Sequence, residues 1–284
     1  MPDRIEKIGD SVIQHGKQND RIYLIKLARK DYPVIIDRLE ALAEQNAYSK
    51  IFAKVPEWAA AGFRASGYVK EAEIPNFYNG QTGACFFSQF RDEERSQVDK
   101  KEFDQIRRNI RLSESKTNTG DPSTNDIEYT IRKLSAGDVT ALAALYKAVF
   151  QTYPFPIFKE SYLLETMKNQ VIYFGVFSGT ALVAASSSEM DVRSENAEMT
   201  DFATLKTHRG KNLSLYLLSE MESEMKELGI KTLYTIARAL SPGMNITFAK
   251  MGYRYSGTLI NNTCIAERIE SMNVWYKLLN DQME

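Results

Sequence analysis

Hydrophobic and polar positions in the second half of the chain follow two different periods. Segments with alternating or short apolar runs predict β-strands, and segments with apolar residues three and four positions apart predict helices. The predicted strands lie at 127–133, 171–177, 180–190, 195–206, 231–238, 253–260 and 272–278. The predicted helices lie at 135–150, 159–169, 213–228 and 245–251. This order indicates an α+β fold with a mixed, mostly antiparallel sheet that is flanked by helices.

The clearest break in the pattern is the segment 113–126, which contains no aliphatic or aromatic residue. Such a stretch cannot bury enough apolar surface to offset the entropy of ordering it, so it predicts a polar linker. It divides the chain into a first part at 1–112 and a second part at 127–284. The length of 284 residues also favours two domains, at about 150 residues per domain.

The first part repeats the pattern of the second in outline. The hexapeptide at 63–68 reads Phe-Arg-Ala-Ser-Gly-Tyr and matches the one at 248–253, which reads Phe-Ala-Lys-Met-Gly-Tyr. Each follows a predicted strand that begins with lysine, and upstream of each lies a strand followed by an amphipathic helix. A degenerate internal repeat and a chance similarity between short βα units both explain this match.

Charge and composition exclude several classes of function. Lys and Arg total 36 against 37 Asp and Glu, so the chain lacks the basic surplus of a nucleic-acid-binding protein. Two cysteines and two histidines do not make a disulfide framework or a cysteine zinc cluster, and we expect no metal. His15, in a polar N-terminal stretch, is expected to be solvated. No apolar run is long enough to span a membrane and no signal peptide is evident, so we expect a cytoplasmic protein without membrane contact.

The segment 205–217 carries the clearest chemical signal, because a predicted strand, a glycine turn and a helix follow one another there. The first amides of a helix have no partner within the helix, and the helix dipole adds positive potential. Gly210 allows close backbone approach, and Lys206, Arg209 and Lys211 add positive charge. This combination favours a pyrophosphate site, although a solvated basic turn has the same residues.

The order of elements around this turn resembles the GNAT superfamily of N-acetyltransferases over about residues 127–280. The resemblance implies acetyl-CoA as co-substrate. It implies that the strand before the turn binds the pantetheine arm, that the turn amides bind the pyrophosphate, and that the helix after the next strand flanks the pantetheine. A backbone amide near Ala203 would stabilise the oxyanion. The cofactor-binding residues would be Phe202, Ala203, Thr204, Leu205, Arg209, Gly210, Lys211, Asn212, Leu213, Ser214, Asn245 and Phe248.

Two positions depart from the pattern of the superfamily. Asn212 stands where members usually carry a second glycine, and asparagine tolerates left-handed backbone better than most residues. Phe248 stands where many members carry the tyrosine that protonates the departing thiolate, and it has no proton to give. The sequence offers as substitutes Tyr216, Tyr253, Tyr255, Ser241 and water, and it does not decide among them.

The first part contains no equivalent of the basic glycine turn. Its strand-to-helix turn at 27–33 lacks glycine, and Pro33 has no amide proton to offer a phosphate. We therefore expect residues 1–112 to form a degenerate GNAT-like half-domain without a coenzyme A site. It would pack against the catalytic domain at 127–284 or shape the acceptor pocket.

The whole chain is similar to the β-lysine N-acetyltransferases within this superfamily. The similar segments lie at 237–245, 258–263 and 272–276, and the similarity extends into 61–83. It implies transfer of the acetyl group to the ε-amine of (S)-β-lysine by direct attack in a ternary complex. The product, Nε-acetyl-β-lysine, would serve osmoprotection as a compatible solute.

Such a reaction requires residues that take a proton from the substrate's ammonium group and anchor the substrate. Glu198 and Asp201 lie on the strand before the turn, on opposite faces unless a bulge intervenes. Asp201 is favoured as base or ammonium anchor, with a structural hydrogen bond as its alternative. Glu198 is the second catalytic candidate, and a solvated strand residue is its favoured alternative. Arg238 would bind the substrate carboxylate or form a surface salt bridge. Tyr153 and Phe155 would wall the amine site or only stop a helix.

Other functions stay open at this point. A GNAT enzyme could act on a polyamine, an amino sugar or a protein lysine, and a protein that has lost turnover could bind acetyl-CoA as a regulator. Asn212 and Phe248 favour the regulator, whereas Gly210, the cationic turn and the carboxylate-bearing strand argue against it. A small-molecule amine is the expected partner, and both a monomer and a homodimer are consistent with the sequence.

Overall fold

Two β-sheets and their helices make up the described part of the chain. The computed structural model describes residues 3–120 and 129–279. Within these residues the first sheet has the strand order β1-β2-β3-β4-β6-β5. Its strands are β1 (Arg4–Ile8), β2 (Ser11–Gly16), β3 (Arg21–Lys26), β4 (Lys50–Pro56), β5 (Val69–Tyr78) and β6 (Thr82–Phe90). The helices of this part are α1 (Ile35–Gln45), α2 (Ala60–Ala65), α3 (Glu93–Ser96) and α4 (Lys100–Glu114).

The second sheet has the strand order β12-β13-β11-β10-β9-β8-β7. Its strands are β7 (Tyr129–Lys133), β8 (Val171–Ser178), β9 (Ala181–Asp191), β10 (Asn196–Thr204), β11 (Thr232–Arg238), β12 (Arg254–Ile265) and β13 (Arg268–Leu278). Its helices are α5 (Val139–Val149), α6 (Glu160–Lys168), α7 (Leu213–Glu227) and α8 (Pro242–Lys250). The predicted α+β class and the predicted elements of this part are confirmed.

The two sheets repeat one topology. Strands β1 to β6 follow the order and direction of β8 to β13, with one parallel pair in each sheet, β3 with β4 and β10 with β11. Helix α1 connects the first parallel pair as α7 connects the second, and α2 stands at the position of α8. The second sheet and its helices have the GNAT fold, and the first sheet is a shortened copy that begins one strand later.

The two matching hexapeptides form the same helix end. Gly67 and Gly252 have positive φ angles of 79° and 82°, which glycine adopts without steric cost. The amide of Tyr68 donates to the Phe63 carbonyl at 3.1 Å, and its counterparts at 253 and 248 bond at 3.0 Å. The aromatic rings meet edge-on in both places, with centroids 5.1 and 4.9 Å apart. This shared geometry supports a duplication rather than a chance similarity.

Each sheet is covered on both faces. One face of each sheet packs against helices, and the other face packs at least partly against the other sheet. The first sheet packs under α1 and α2 on one side. The second sheet packs under α7 and α8 on one side, and under α5 and α6 at one end of the other side. The rest of that side meets the first sheet through a cluster that includes Phe52, Phe86, Tyr234 and Val274. The two halves therefore bury a common core.

Polar contacts add to this interface where β5 meets β12. Ser256 Oγ accepts a hydrogen bond from the Glu73 amide at 2.9 Å and donates one to the Glu73 carbonyl. A Cβ on Gly257 would lie 2.0 Å from the Glu71 carbonyl oxygen, so the two backbones are in direct contact there. The Ile260 amide donates to Glu71 Oε1 at 2.7 Å, and Lys50, which forms a buried ion pair with Glu71 at 3.2 Å, donates to the Ile260 carbonyl. The interface is therefore closely packed.

The structure differs from the sequence prediction in several elements. The pattern does not predict β1 and β2, and β12 and β13 extend further than predicted. Helix α4 continues to Glu114, two residues into the predicted linker, and Ser113 is buried. Positions 121–126 lie outside the described residues, so the linker and the domain division stay predictions. Within the described residues, no helix is long and apolar enough to cross a bilayer.

The expectation that His15 is solvated was wrong. His15 is buried on β2. Its Nδ1 lies 3.0 Å from the Tyr48 hydroxyl, and its Nε2 lies 2.9 Å from Glu6 Oε1. The polar stretch around it forms a strand whose alternate residues face α1, which the composition of the segment does not reveal.

Candidate active site

The parallel pair at the centre of the second sheet separates after a short contact. Within the described residues, β10 and β11 pair through Asn196–Glu198 and Thr232–Tyr234, and then diverge. A cavity of about 820 Å³ lies beside this divergence. Residues of β2, β3 and β4 line it from the first sheet, and residues of β9, β10, β11 and β12 line it from the second. The cavity therefore lies between the two halves of the chain.

A β-bulge in β10 brings two acidic side chains together. The register with β9 shifts between Thr200 and Ala203, and Asp201 between them has a φ of 55°. In a regular strand Glu198 and Asp201 would face opposite sides, but with the bulge both line the cavity. The structure thus contains the bulge that the spacing of these two residues requires for a common site.

Asp201 is buried and held by two hydroxyl groups. The Tyr153 hydroxyl donates to its Oδ1, and Ser187 Oγ donates to its Oδ2 at 2.6 Å. Burial raises the pKa of Asp201 above its usual value, and the hydrogen bonds from Ser187 and Tyr153 oppose that shift. Asp201 is therefore fixed in position, and its pKa lies closer to neutrality than that of an exposed aspartate.

A third carboxylate belongs to Glu189 on β9, for which the sequence offers no motif. It lies opposite Glu198 in the strand register, and its side chain is open to the cavity although it lies deep in the protein. Burial raises the pKa of Glu189 well above its usual value, the charges of Asp201 and Glu198 raise it further, and Lys54 opposes them. One signal was present: the predicted strand at 180–190 contains an uninterrupted polar run at 186–189.

Lys54 brings a cation from the first sheet to this acidic cluster. Its Nζ donates to the Tyr234 hydroxyl at 2.9 Å and lies 5.5 Å from the centroid of the Phe77 ring. Tyr234 and Glu198 both line the cavity. Burial raises the pKa of Glu198, while Lys54 and Tyr234 lower it. Glu198 is therefore a half-buried residue of the cavity wall, close to the positive charge of Lys54.

Aromatic side chains wall the cavity beside Asp201. The structure places Tyr153 and Phe155 in this wall. The Tyr153 ring lies 5.0 Å from the Phe150 ring, which ends the preceding helix. Burial and the charge of Asp201 raise the pKa of the Tyr153 hydroxyl well above its usual value, so this hydroxyl stays a hydrogen-bond donor.

The turn between β10 and α7 presents backbone amides at its tip. Gly210 has a φ of 81° and Asn212, which precedes α7, has a φ of 56°. Both adopt the left-handed backbone that glycine and asparagine tolerate. Among the described residues, the amides of Gly210, Asn212, Leu213 and Ser214 have no backbone acceptor. Together with the helix dipole, these amides fit an anionic group.

Basic side chains surround this turn. Lys206 and Arg209 are exposed, and Arg209 Nε donates to the Thr204 carbonyl at 3.3 Å. Lys211 Nζ donates to the Tyr129 hydroxyl at 2.7 Å. These contacts hold positive charge close to the free amides.

The backbone of β10 before the turn has one paired side and one open side. The Leu205 amide donates to the Val183 carbonyl of β9 at 2.9 Å. Successive residues of a strand direct their backbone groups to opposite sides, so Ala203 also faces β9 and Thr204 faces the gap towards β11. The amide that faces the gap is therefore that of Thr204 rather than that of Ala203.

Comparison with known proteins identifies the family. No protein-family model matches the chain. The β-lysine N(6)-acetyltransferase of Methanococcus maripaludis is 42% identical over 279 residues, which cover 97% of this chain and 99% of that protein. The enzyme of the same name from Methanosarcina mazei is 31% identical over 262 residues, 86% of this chain and 97% of that protein. The chain belongs to the β-lysine N(6)-acetyltransferase family.

Other relatives agree with this assignment at a coarser level. N-acetyltransferase YodP of Bacillus subtilis is 34% identical over 275 residues, 95% of this chain and 96% of that protein. The relatives confirm the N-acetyltransferase class that the sequence resemblance implied.

Solved structures resemble part of the chain. Ribosomal-protein-S18-alanine N-acetyltransferase from Escherichia coli is 14% identical, with a TM-score of 0.47 over 55% of this chain and 99% of that chain. A variant of spermidine N-acetyltransferase from Vibrio cholerae is 18% identical, with a TM-score of 0.46 over 53% of this chain and 94% of that chain.

In this β-lysine N(6)-acetyltransferase family member, Phe248 lines the cavity, and its side chain has no hydroxyl group. Its ring packs edge-on against Tyr253, with centroids 4.9 Å apart. Of the side chains that the sequence offers as thiolate donors, Ser241 lines the cavity, whereas Tyr216, Tyr253 and Tyr255 do not. The structure therefore narrows the protein donors named from the sequence to Ser241.

Asn245 serves the fold rather than a ligand. Its Nδ2 donates to the carbonyls of Arg238 and Ser241 at 3.0 and 2.7 Å. Its Oδ1 accepts from Asn273 Nδ2 at 2.9 Å and from Trp275 Nε1 at 2.8 Å. With these four bonds its capacity is filled, so the geometry argues against the expected contact of this side chain with coenzyme A.

Arg238 lies at the edge of the cavity with its guanidinium already paired. Its Nε and Nη2 bond to the two carboxylate oxygens of Glu270 at 2.8 and 2.7 Å. Of the two roles that the sequence left open, the structure shows the salt bridge.

Proposed function

We propose that this protein transfers the acetyl group of acetyl-CoA to the ε-amine of (S)-β-lysine, which attacks directly in a ternary complex. The observation that carries this proposal is the cavity in which Glu189, Glu198 and Asp201 converge beside the open strand pair. β-Lysine carries two ammonium groups and one carboxylate at neutral pH, so its amines match an acidic cavity. Two curated relatives bear the name of this activity.

The raised pKa values of the three carboxyl groups suit a cationic substrate. Burial is the largest cause of the raised pKa in each of them. An ammonium group that enters the cavity offsets the repulsion among these groups and replaces part of their lost solvation. Substrate binding and ionisation of the carboxyl groups therefore favour each other.

Asp201 is the residue that we assign to the reacting amine. It lies on β10 where the strands part, and Tyr153 and Ser187 fix its two oxygens. An alkyl ammonium has a pKa of about 10.4 and is no nucleophile until it loses a proton. Asp201 accepts that proton, directly or through water. Its raised pKa makes it a stronger base than an exposed aspartate.

The turn and the open side of β10 fit acetyl-CoA, which supplies the acetyl group as a thioester. The amides of Gly210, Asn212, Leu213 and Ser214 would bind its pyrophosphate. The backbone of Thr204, which faces the gap, would pair with the pantetheine. Ser241 Oγ is the hydroxyl that we propose would donate a proton to the departing thiolate, in the place of the missing tyrosine. The left-handed Asn212 keeps the shape of the turn, which supports binding.

The first half shapes the acceptor pocket in this proposal and binds no coenzyme A. Its turn at 27–33 contains Asp31, whose Oδ2 accepts hydrogen bonds from the amides of Asp10 and Ser11 at 2.9 and 2.7 Å. A carboxylate at this place opposes a pyrophosphate. The division into residues 1–112 and a catalytic domain at 127–284 belongs to the proposal.

The charge of the product fits a compatible solute. β-Lysine has a net positive charge, and acetylation of its ε-amine leaves one ammonium and one carboxylate. The product is therefore a neutral zwitterion, which a cell can accumulate without a counter-ion. We propose osmoprotection as the role of the reaction on this ground.

Initial-rate kinetics and product analysis test the proposal. Thiol release from acetyl-CoA is measured while both substrates are varied, and the product is examined by NMR. Direct attack predicts intersecting double-reciprocal lines, and the proposed substrate predicts acetylation at the ε-nitrogen. Parallel lines, or acetylation at the β-nitrogen, would contradict it. If the protein binds acetyl-CoA but releases no thiol from it with any amine, that result would support the non-catalytic regulator instead.

A further inference from the structure

Three buried polar groups without partners meet at the part of the cavity that the first sheet forms. Gln14, Arg21 and Asn262 are 2%, 5% and 1% exposed, and all three line the cavity. Among the described residues, Gln14 Nε2, Arg21 Nε and Asn262 Oδ1 have no hydrogen-bond partner. An unpaired buried polar group costs about 1–3 kcal/mol, so three such groups at one place indicate a ligand.

Strand register places these groups on one side of the first sheet. In the pairing of β2 with β3, Gln14 lies opposite Tyr23 and Gly16 lies opposite Arg21. Cross-strand neighbours point to the same face, and so do residues two apart. Gln14, Arg21 and Tyr23 therefore all face the second sheet.

Arg21 is held in position by its neighbours. Its Nη1 donates to the Asn262 carbonyl and to Thr263 Oγ1, the latter at 3.2 Å. Its guanidinium carbon lies 5.5 and 5.7 Å from the ring centroids of Tyr23 and Phe52. These contacts fix the guanidinium while its Nε stays available to a ligand.

The charge of Arg21 also lacks a partner. Within the described chain, no carboxylate lies within 4.0 Å of its guanidinium, whereas Arg238 pairs with Glu270 and Lys50 pairs with Glu71. Burial lowers the pKa of Arg21 to about 10, so it is still a cation at neutral pH. A buried cation without a counter-charge is unfavourable, and a bound anion removes that penalty.

We propose that Gln14, Arg21 and Asn262 bind the carboxylate end of the substrate. Arg21 Nε and Gln14 Nε2 donate to the carboxylate, and Asn262 Oδ1 accepts from the ammonium group that β-lysine carries one methylene away. The inference rests on the proposed function and deepens it. It assigns the carboxylate to Arg21 of the first sheet instead of Arg238, while the ε-amine lies at Asp201.

The test compares two substrates that differ at the carboxylate. Pentane-1,4-diamine differs from β-lysine in that a methyl group replaces the carboxymethyl group, and it keeps both amines. The values of kcat/KM for the two substrates are measured for the wild type, Arg21→Gln, Arg21→Lys, Gln14→Leu and Arg238→Gln. Arg64→Gln, an exposed arginine of α2, controls for loss of a charge in the first half.

The ratio of the two kcat/KM values separates binding from folding. We expect Arg21→Gln to lower kcat/KM for β-lysine about 100-fold and to change that for the diamine less than about 3-fold. Arg21→Lys should recover part of the loss, and Gln14→Leu should show a smaller loss of the same kind. Arg64→Gln should leave the ratio unchanged.

Two results would overturn the inference while the proposed function stands. One is an equal loss on both substrates in Arg21→Gln and Arg21→Lys, and the other is loss of discrimination in Arg238→Gln with none in Arg21→Gln. If the wild type does not acetylate β-lysine, the proposed function fails and this carboxylate site fails with it.

Discussion

At the scale of single residues, burial opposes the charge that the proposed chemistry needs. Glu189, Glu198 and Asp201 share one cavity, and each has its pKa raised by loss of solvent. The hydroxyl groups that donate to Asp201 oppose this rise in its pKa, and the charge of Lys54 opposes it in Glu189 and Glu198. The balance leaves carboxyl groups that exchange protons closer to neutral pH than exposed ones do.

Replacing Asp201 tests the proposed base. Asp201→Asn should lower kcat/KM for β-lysine by about 100- to 1000-fold, because asparagine cannot accept the proton of the ammonium group. The KM for acetyl-CoA should change little. Thiol release measures both values, and Glu220→Gln on the exposed side of α7 is the matched control. A wild-type kcat in Asp201→Asn would remove this residue from the mechanism.

Replacing Glu189 tests the electrostatic account through stability. When folding raises the pKa of a carboxyl group, the folded state tolerates the neutral form of that group better than the ionised form. Its contribution to stability is therefore present in full below the unfolded pKa of about 4.3, and it is lost as pH rises through the folded pKa. Glutamine stays neutral throughout. The Tm of Glu189→Gln should therefore exceed that of the wild type near pH 8, and the difference should be smaller near pH 5.

The comparison is made by thermal unfolding at both pH values, with Glu220→Gln as the control. An equal difference between Glu189→Gln and the wild type at the two pH values would show that Glu189 is not under electrostatic strain.

At the scale of elements, the structure keeps the anion-binding turn although its second glycine is missing. Asn212 adopts a φ of 56°, as its side chain permits, and Gly210 a φ of 81°. The shape of the turn thus depends on left-handed backbone at two positions, and helix α7 begins directly after them.

Substitutions at Asn212 test this dependence. Asn212→Gly should keep the KM for acetyl-CoA within about 2-fold, because glycine adopts the same backbone. Asn212→Val should raise it about 5- to 30-fold, since left-handed backbone costs other residues about 1–2 kcal/mol. The KM for β-lysine serves as internal control in both variants. Equal values of KM for acetyl-CoA in the two variants would contradict a conformational role for Asn212.

The elements of the second half could be predicted because each has a strong period and a clear end. Gly229 and Gly252 follow two of the helices with positive φ angles, as the sequence indicates. The bulge at Asp201 could not be predicted, since it arises from the register with β9 rather than from any pattern within β10. Glu189 was missed for the same reason, because its importance comes from the strand opposite it.

At the scale of the whole molecule, the candidate site depends on a second copy of the fold. Lys54 and Arg21 reach the cavity from the first sheet, and Asp201 reaches it from the second. The repeat was visible in one pair of hexapeptides. The strands β1 and β2 were not, because their polar residues face partners that the local pattern does not show, such as His15 against Tyr48.

A substitution at the contact of the two sheets tests whether the halves are coupled. Gly257→Ala places a Cβ 2.0 Å from the Glu71 carbonyl oxygen, so it should lower the stability by about 1–3 kcal/mol. Gly137→Ala is the matched control, since its Cβ would meet only Ser135 Oγ at 3.6 Å. Thermal unfolding measures both variants. A wild-type Tm in Gly257→Ala would mean that the two sheets separate easily.

Substrate preference is the sharpest test of the proposed reaction. The values of kcat/KM for β-lysine, α-lysine and spermidine are measured by thiol release from acetyl-CoA under one set of conditions. We predict a value for β-lysine at least about 10-fold above the other two, because a carboxylate and two ammonium groups must all find their partners in the cavity. A higher value for α-lysine or spermidine would contradict it.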